Sequence, residues 1–251
     1  MKELLPNYVN KFNMTNLQRK VVANNMKEII LGKSVKDKEI KGYFFGNENV
    51  FNKTLIIGGI HGVEPQSAEI CELYINDVRD KLFPKDYFLA LIPCINPDGI
   101  ELKTRGNANG VDLNRNFPSN GWQSIPLANN NAYYPGIKPA SEPETQIIVN
   151  LLNKYNFKKI FAIHTNHTIQ FPNPPMVNYD GEQSRELAEK LSVATGLIAH
   201  HDIGYPTPGS LGCWIGKDLK KISVTVELDD MKTAEELYKK HGLMFEVGIL
   251  N

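Results

Sequence analysis

The sequence predicts an α/β fold, a mixed and mostly parallel central sheet with helices on both faces. Three observations carry this expectation. Short β-branched and aromatic runs alternate with amphipathic ones along the chain, the order expected of strands and the helices that cover them. Two of the runs, LIIG at 55–58 and FLALIP at 88–93, are apolar at every position, as strands buried on both faces are. Two long polar, Pro-containing stretches, 118–143 and 164–181, read as loops leaving strands of one sheet, so residues 1–251 are expected to form a single domain.

The elements follow in order. Amphipathic spacing predicts a helix over Leu17–Leu31, and β-rich runs predict strands at Gly42–Phe45 and Thr54–Gly58. A helix over Gln66–Leu82 follows Pro65, which suits a first helical position. A strand at Tyr87–Pro93 precedes the first long loop. The helix over Pro143–Tyr155 has Glu142 and Glu144 at its start, where the helix dipole favours acids, and both are read as structural. Strands at Lys159–Ile163 and Ile222–Leu228 and helices at Gln183–Thr195 and Thr233–Lys240 complete the pattern. There is no internal repeat.

Composition narrows the function. With 28 Lys and Arg against 28 Asp and Glu, the net charge is zero, which excludes a general nucleic-acid binder held by phosphate electrostatics. At 41% hydrophobic and 22% charged the chain is ordinary globular material. No run approaches the roughly 18–20 apolar residues that span a bilayer, and the N-terminal stretch lacks the apolar core of a secretory signal. Neither a membrane nor a nucleic acid is an expected partner, and a cytoplasmic location is expected. Three cysteines, Cys71, Cys94 and Cys213, without a CxxC pair, read as small buried hydrophobes in a reducing compartment.

The residues that carry chemistry lie at strand ends, where open α/β sheets bind ligands. TLIIGGIHGVEP puts His61 and Glu64 on the turn between a buried strand and a helix. Imidazole and carboxylate suit catalytic zinc, which usually takes three protein ligands. Taken alone the pair also reads as a polar turn in which Glu64 caps the helix. KKIFAIHTNH ends a second strand at His164, the best-placed third ligand, with His167 three residues on. His167, His200 and His201 read as loop or strand-end residues, and His241 as a surface residue. In ISVTVELDD, period-two alternation puts Glu227 on a polar face with Ser223 and Thr225, a candidate base for activating water, although an exposed edge-strand Glu is the plainer reading. RGNANGVDLNRNFP carries Arg105, Asp112, Asn114 and Arg115 between the two halves of this constellation. An arginine there can fork onto a carboxylate or stabilise an oxyanion.

Five ordered segments, GGIHGVEP, CINPDG, RGNANGVDLNRNFP, AIHTN and VTVELDD, resemble the zinc carboxypeptidase family from His61 to Glu227. YYPG, ASEPET, VNYDG and DIGYPTPGSLG are similar to members of that family that act on murein peptides. The resemblance implies a zinc carboxypeptidase-like catalytic domain with one zinc per chain, held by His61, Glu64 and His164. It implies Glu227 as general base, Arg105 as oxyanion stabiliser, and Asn114 with Arg115 as the holders of a terminal carboxylate. The implied reaction is hydrolysis of the amide between the γ-carboxyl of D-glutamate and meso-diaminopimelate in the muropeptide L-Ala-γ-D-Glu-meso-diaminopimelate. One departure stands out: digestive members of the family place a tyrosine on a mobile loop before the base, and GSLGCWIG (209–216) has none, leaving Tyr205 and Trp214 as unassigned aromatics. Two other readings compete. One is a zinc-dependent N-acyl-amino-acid deacylase of the aspartoacylase or succinylglutamate desuccinylase type, and the other is a catalytically silent peptide-binding module.

Overall fold

The computed structural model describes residues 21–22, 26–126, 130–166, 174–201 and 203–251. Eight strands form the main sheet: β2 (Lys27–Lys33), β3 (Glu39–Gly46), β4 (Asn52–Ile57), β6 (Tyr87–Ile92), β7 (Lys159–Asn166), β8 (Met176–Asp180), β9 (Ile198–His200) and β10 (Ile222–Asp229). Their spatial order is β2-β3-β6-β4-β7-β10-β8-β9. The central run β6-β4-β7-β10 is parallel throughout, while β3 and β8 run antiparallel to it on either side. A separate two-stranded ribbon pairs β1 (Val21–Val22) with β5 (Phe83–Pro84).

Period-two alternation splits the apolar side chains into one core on each face. On one face Ile56, Leu89, Leu91, Phe161, Ile163, Val224 and Val226 pack under α1 (Pro65–Val78), α4 (Arg185–Thr195), α5 (Ala234–His241) and α6 (Leu243–Leu250). On the other, Leu55, Ile57, Phe88, Ala90, Ile92, Ile160 and Ala162 pack under α3 (Pro143–Lys154) and the 211–215 segment. Continuing the even-numbered phase of β7 and the odd-numbered phase of β10 brings His164 and Glu227 onto this second face. The parallel register sets Glu227 directly beside His164. A one-residue slip would turn both away from the site, so the apolar alternation fixes the site as well as the core.

The helix expected over Leu17–Leu31 is not observed: its described residues include the strand pair Val21–Val22 and most of β2. Ile29 and Leu31 pack on the core while Ile30 between them is exposed, a period of two that antiparallel pairing with β3 rewards. The stretch 164–181, read as a loop, contains the end of β7 and all of β8. Of the cysteines, Cys71 is buried as expected, whereas Cys94 and Cys213 are half-buried, and all three are free thiols.

Candidate active site

The His61 end of the site is the turn after β4. Gly59 takes φ +59°, and at Gly62 a Cβ would lie 1.9 Å from the carbonyl carbon of Gly99 on α2 (Pro97–Leu102), so no side chain fits there. Asn96 locks this turn from the outside. Its Nδ2 donates to Ile60 O at 3.1 Å, its backbone N–H to Gly59 O at 3.0 Å, and its Oδ1 accepts from Gly99 N at 2.9 Å.

Glu64 precedes Pro65, the first residue of α1, yet its carboxylate makes no capping bond. Its Oε1 lies 2.7 Å from His61 Nδ1 and its Oε2 2.9 Å from His164 Nδ1, and Oε2 also accepts from Thr165 N at 3.2 Å. Helix capping therefore does not account for this residue. All three side chains are buried, and their possible ligand atoms lie within 4.8 Å of one another. Burial alone would raise the Glu64 carboxyl, but the flanking His61 and His164 hold it well below the usual carboxylate range. Burial likewise works against charge on His164, and the Glu64 carboxylate overcomes it and raises the imidazole. Two imidazole nitrogens converging on one ionised carboxylate are a donor set that fits zinc.

Asp112 supports this cluster from the other side. Its Oδ1 lies 3.1 Å from His61 Nε2 and accepts from Asn114 N at 2.9 Å, while Oδ2 accepts from Arg105 Nε at 2.8 Å. Burial would raise its carboxyl, and Arg105, His61 and Arg115 together hold it well below the ordinary value. Arg105 is raised in turn by the Asp112 and Glu64 carboxylates against the penalty of burial, and its guanidinium stays charged. Arg115 ends the short turn Leu113–Arg115 that follows Asp112, 2% exposed, with Nη1 donating to Asn114 O at 2.6 Å. Among the described residues its Nε and Nη2 have no hydrogen-bond partner. A fully buried guanidinium with two unpaired nitrogens beside a cavity suits a carboxylate or another anion. The Asn114 side-chain oxygen is engaged by Leu211 N at 2.9 Å, so its NH2 group is what it offers to the cavity.

Glu227 is 9% exposed on an interior strand, so the edge-strand reading fails. Burial, reinforced by the Glu64 charge, raises its carboxyl against the pull of His164. A cavity of about 460 Å³ joins His61, Glu64, Arg105, Asn114, Arg115, His164 and Glu227, the seven residues singled out from the sequence. Two aromatics complete it. Tyr133, on a short turn of the 118–143 loop, lies under both guanidinium groups, with its ring centroid 5.0 Å from Arg105 Cζ and 5.4 Å from Arg115 Cζ. Tyr205 approaches Arg115 Cζ to 6.0 Å, whereas Trp214 is buried and stacked on Phe117, so of the two unassigned aromatics Tyr205 faces the cavity.

Sequence reasoning named Asp112 without a task and gave none to Tyr133. An acid between two arginines in one Gly- and Asn-rich turn was the available signal for Asp112, since one carboxylate can order both neighbours. Of the remaining histidines, His200 and His201 are exposed and His167 lies outside the described residues. His241, expected at the surface, is buried, with Nδ1 3.0 Å from Thr195 O.

Residues 14–244 match the zinc carboxypeptidase family, and the chain belongs to that family, a class of hydrolases acting on peptide amide bonds. It is 32% identical to murein peptide amidase A of Escherichia coli (strain K12) over 190 residues, spanning 72% of this chain and 73% of that protein. The solved structure of the murein-tripeptide amidase of Escherichia coli O157 aligns with a TM-score of 0.69 at 29% identity, covering 89% of this chain and 90% of the other. Thrombin activatable fibrinolysis inhibitor shares the fold, with a TM-score of 0.75 at 20% identity, over 90% of this chain and 68% of that one. Among the described residues no helix is long and apolar enough to cross a membrane.

Proposed function

We propose that residues 1–251 act as one catalytic domain that hydrolyses the γ-D-glutamyl–meso-diaminopimelate amide of L-Ala-γ-D-Glu-meso-diaminopimelate. His61, Glu64 and His164 would hold a single zinc ion. When bound, zinc polarises a carbonyl and acidifies water, which is the chemistry amide hydrolysis needs. Asp112 keeps His61 oriented and holds Arg105 by its Nε, leaving the rest of that guanidinium to meet the oxyanion that develops on the scissile carbonyl. Glu227, raised by burial, accepts the proton of the attacking water and delivers it to the departing amine of diaminopimelate. Asn114 and Arg115 hold the free carboxylate beside the scissile amide.

The observation that carries this reading is the two unpaired nitrogens of buried Arg115, which lines the same cavity as the His61–Glu64–His164 cluster. A carboxylate next to the cleaved bond would accept from those nitrogens, and the tripeptide presents one. Likeness to relatives named as murein peptide and murein-tripeptide amidases supports the choice of substrate. The three free thiols are consistent with a cytoplasmic enzyme meeting cytoplasmic muropeptides. The test is to incubate the zinc-loaded protein with synthetic tripeptide and separate the products. Free diaminopimelate with L-Ala-D-Glu is expected, and cleavage at the Ala–Glu bond or no cleavage would refute the reading.

A further inference from the structure

A second cavity, about 620 Å³, borders the first and shares Ile203, Tyr205 and Thr207 with it. Part of its wall is β8. Antiparallel pairing sets Met176 beside Glu227, Asn178 beside Thr225 and Asp180 beside Ser223, so these residues form one row on the sheet face that bears the site. Asn178 and Asp180 thus extend a polar row from Glu227 across a face whose other strands carry mainly apolar side chains. Both are 7% exposed, and both line the second cavity.

Two features of this row ask for a ligand. Asn178 Oδ1 is buried and, among the described residues, has no hydrogen-bond partner, so it is an acceptor suited to a ligand's N–H. Asp180 has one oxygen 3.4 Å from Lys217 Nζ, and Lys217 is 56% exposed and also lines the cavity. The other oxygen faces Gly212, where a Cβ would lie 1.9 Å away, and at Gly216 a Cβ would meet Asp180 Cβ at 2.5 Å. Glycine at both positions lets the turn carrying Lys217 close on the carboxylate. An acceptor pair and an ammonium on one wall match a group that is itself a cation beside an anion.

We propose that Asn178, Asp180 and Lys217 form the subsite for the distal amino-acid end of the leaving group, its ammonium on Asp180 and Asn178 and its carboxylate on Lys217. The inference rests on the substrate proposed above and explains how a diamino dicarboxylic acid would be told from a diamino monocarboxylic acid such as lysine. Tyr205, shared by both cavities, lies between the group that holds the near carboxylate and the subsite for the far one.

The test compares kcat/KM of the zinc-loaded enzyme on L-Ala-γ-D-Glu-meso-diaminopimelate and on L-Ala-γ-D-Glu-L-Lys, which keeps the distal amine and lacks the distal carboxylate. Wild type should prefer the first by about tenfold or more, through KM, the scale of a half-exposed charge pair. Lys217→Met should bring the ratio close to one, and Lys217→Arg should restore most of it. Asp180→Asn should raise KM for both substrates. Lys217 is exposed, so its variants decide the matter even if Asp180→Asn fails to fold. Cleavage of both peptides with no preference in wild type, or a ratio that Lys217→Met leaves intact, overturns the subsite while the proposed reaction stands. No cleavage of either peptide overturns the reaction and the subsite together.

Discussion

The ring nitrogen of His61 that points away from Glu64 lies 3.1 Å from Asp112 Oδ1. One buried carboxylate thereby fixes the orientation of a candidate zinc ligand and, through its other oxygen, the position of Arg105. Groups that orient metal-binding histidines typically contribute 10–100-fold to metal affinity or activity. Asp112→Asn should therefore weaken zinc binding by about that factor in a competition titration against a chromophoric chelator. An unchanged affinity would mean that His61 is held by its backbone turn alone.

Glu227→Gln should fold, retain zinc and lose most turnover. The amide keeps the shape of the side chain but cannot accept a proton, and general-base contributions are about 10²–10⁴-fold. Metal content and kcat measured on the same preparation check this. A variant with near wild-type kcat would move the base elsewhere.

The tripeptide should be a better substrate than the tetrapeptide that continues with D-Ala. In the proposed binding mode, continuation converts the carboxylate that Arg115 would hold into a neutral amide, leaving a 2%-exposed guanidinium without a charged partner. Truncating one side of such a pair costs about 2–5 kcal/mol, roughly 30- to 5,000-fold in kcat/KM. Arg115→Met should narrow the gap, because it damages tripeptide hydrolysis most. Equal kcat/KM for the two substrates in wild type would remove Arg115 from carboxylate binding.

Much of this was legible in the sequence because the candidate site residues at strand ends are flanked by strongly apolar runs. LIIG and KKIFAIH point to their strands, and the alternation in ISVTVEL sets the face of Glu227. The same logic explains the misses. Met176–Asp180 is a strand whose inward row is polar, since Asn178 and Asp180 line a cavity, and it therefore reads as a loop. Leu243–Leu250 is apolar nearly all round because it is buried, so it shows no helical period. For Asp112 the local signal, an acid between two arginines, points to Arg105 seven residues away, whereas His61 is 51 residues away and only the fold brings it there.

Lys159, at the start of β7, makes a second kind of prediction. Its side chain is buried with Nζ donating to Ile249 O at 2.6 Å, and burial pushes its ammonium down to about 8. An unfolded lysine titrates near 10.4. Between these values the unfolded state binds more protons, so stability contributed by this residue rises with pH, and below about 8 the penalty is complete. From pH 7 to 10.5 the unfolding free energy of wild type should gain up to about 3 kcal/mol on that of Lys159→Met, measured by denaturant titration. A difference independent of pH would show that Lys159 stays charged when folded.

The proposed reaction is a zinc-dependent cleavage at one amide, and chelation followed by metal restoration tests it. Diaminopimelate release from L-Ala-γ-D-Glu-meso-diaminopimelate is followed in the purified protein, after removal of metal, and after adding back zinc in increasing ratio to protein. Release should disappear on chelation and return in proportion to zinc, levelling off at one ion per chain. Release that survives complete removal of metal, or that fails to return with zinc, would contradict it.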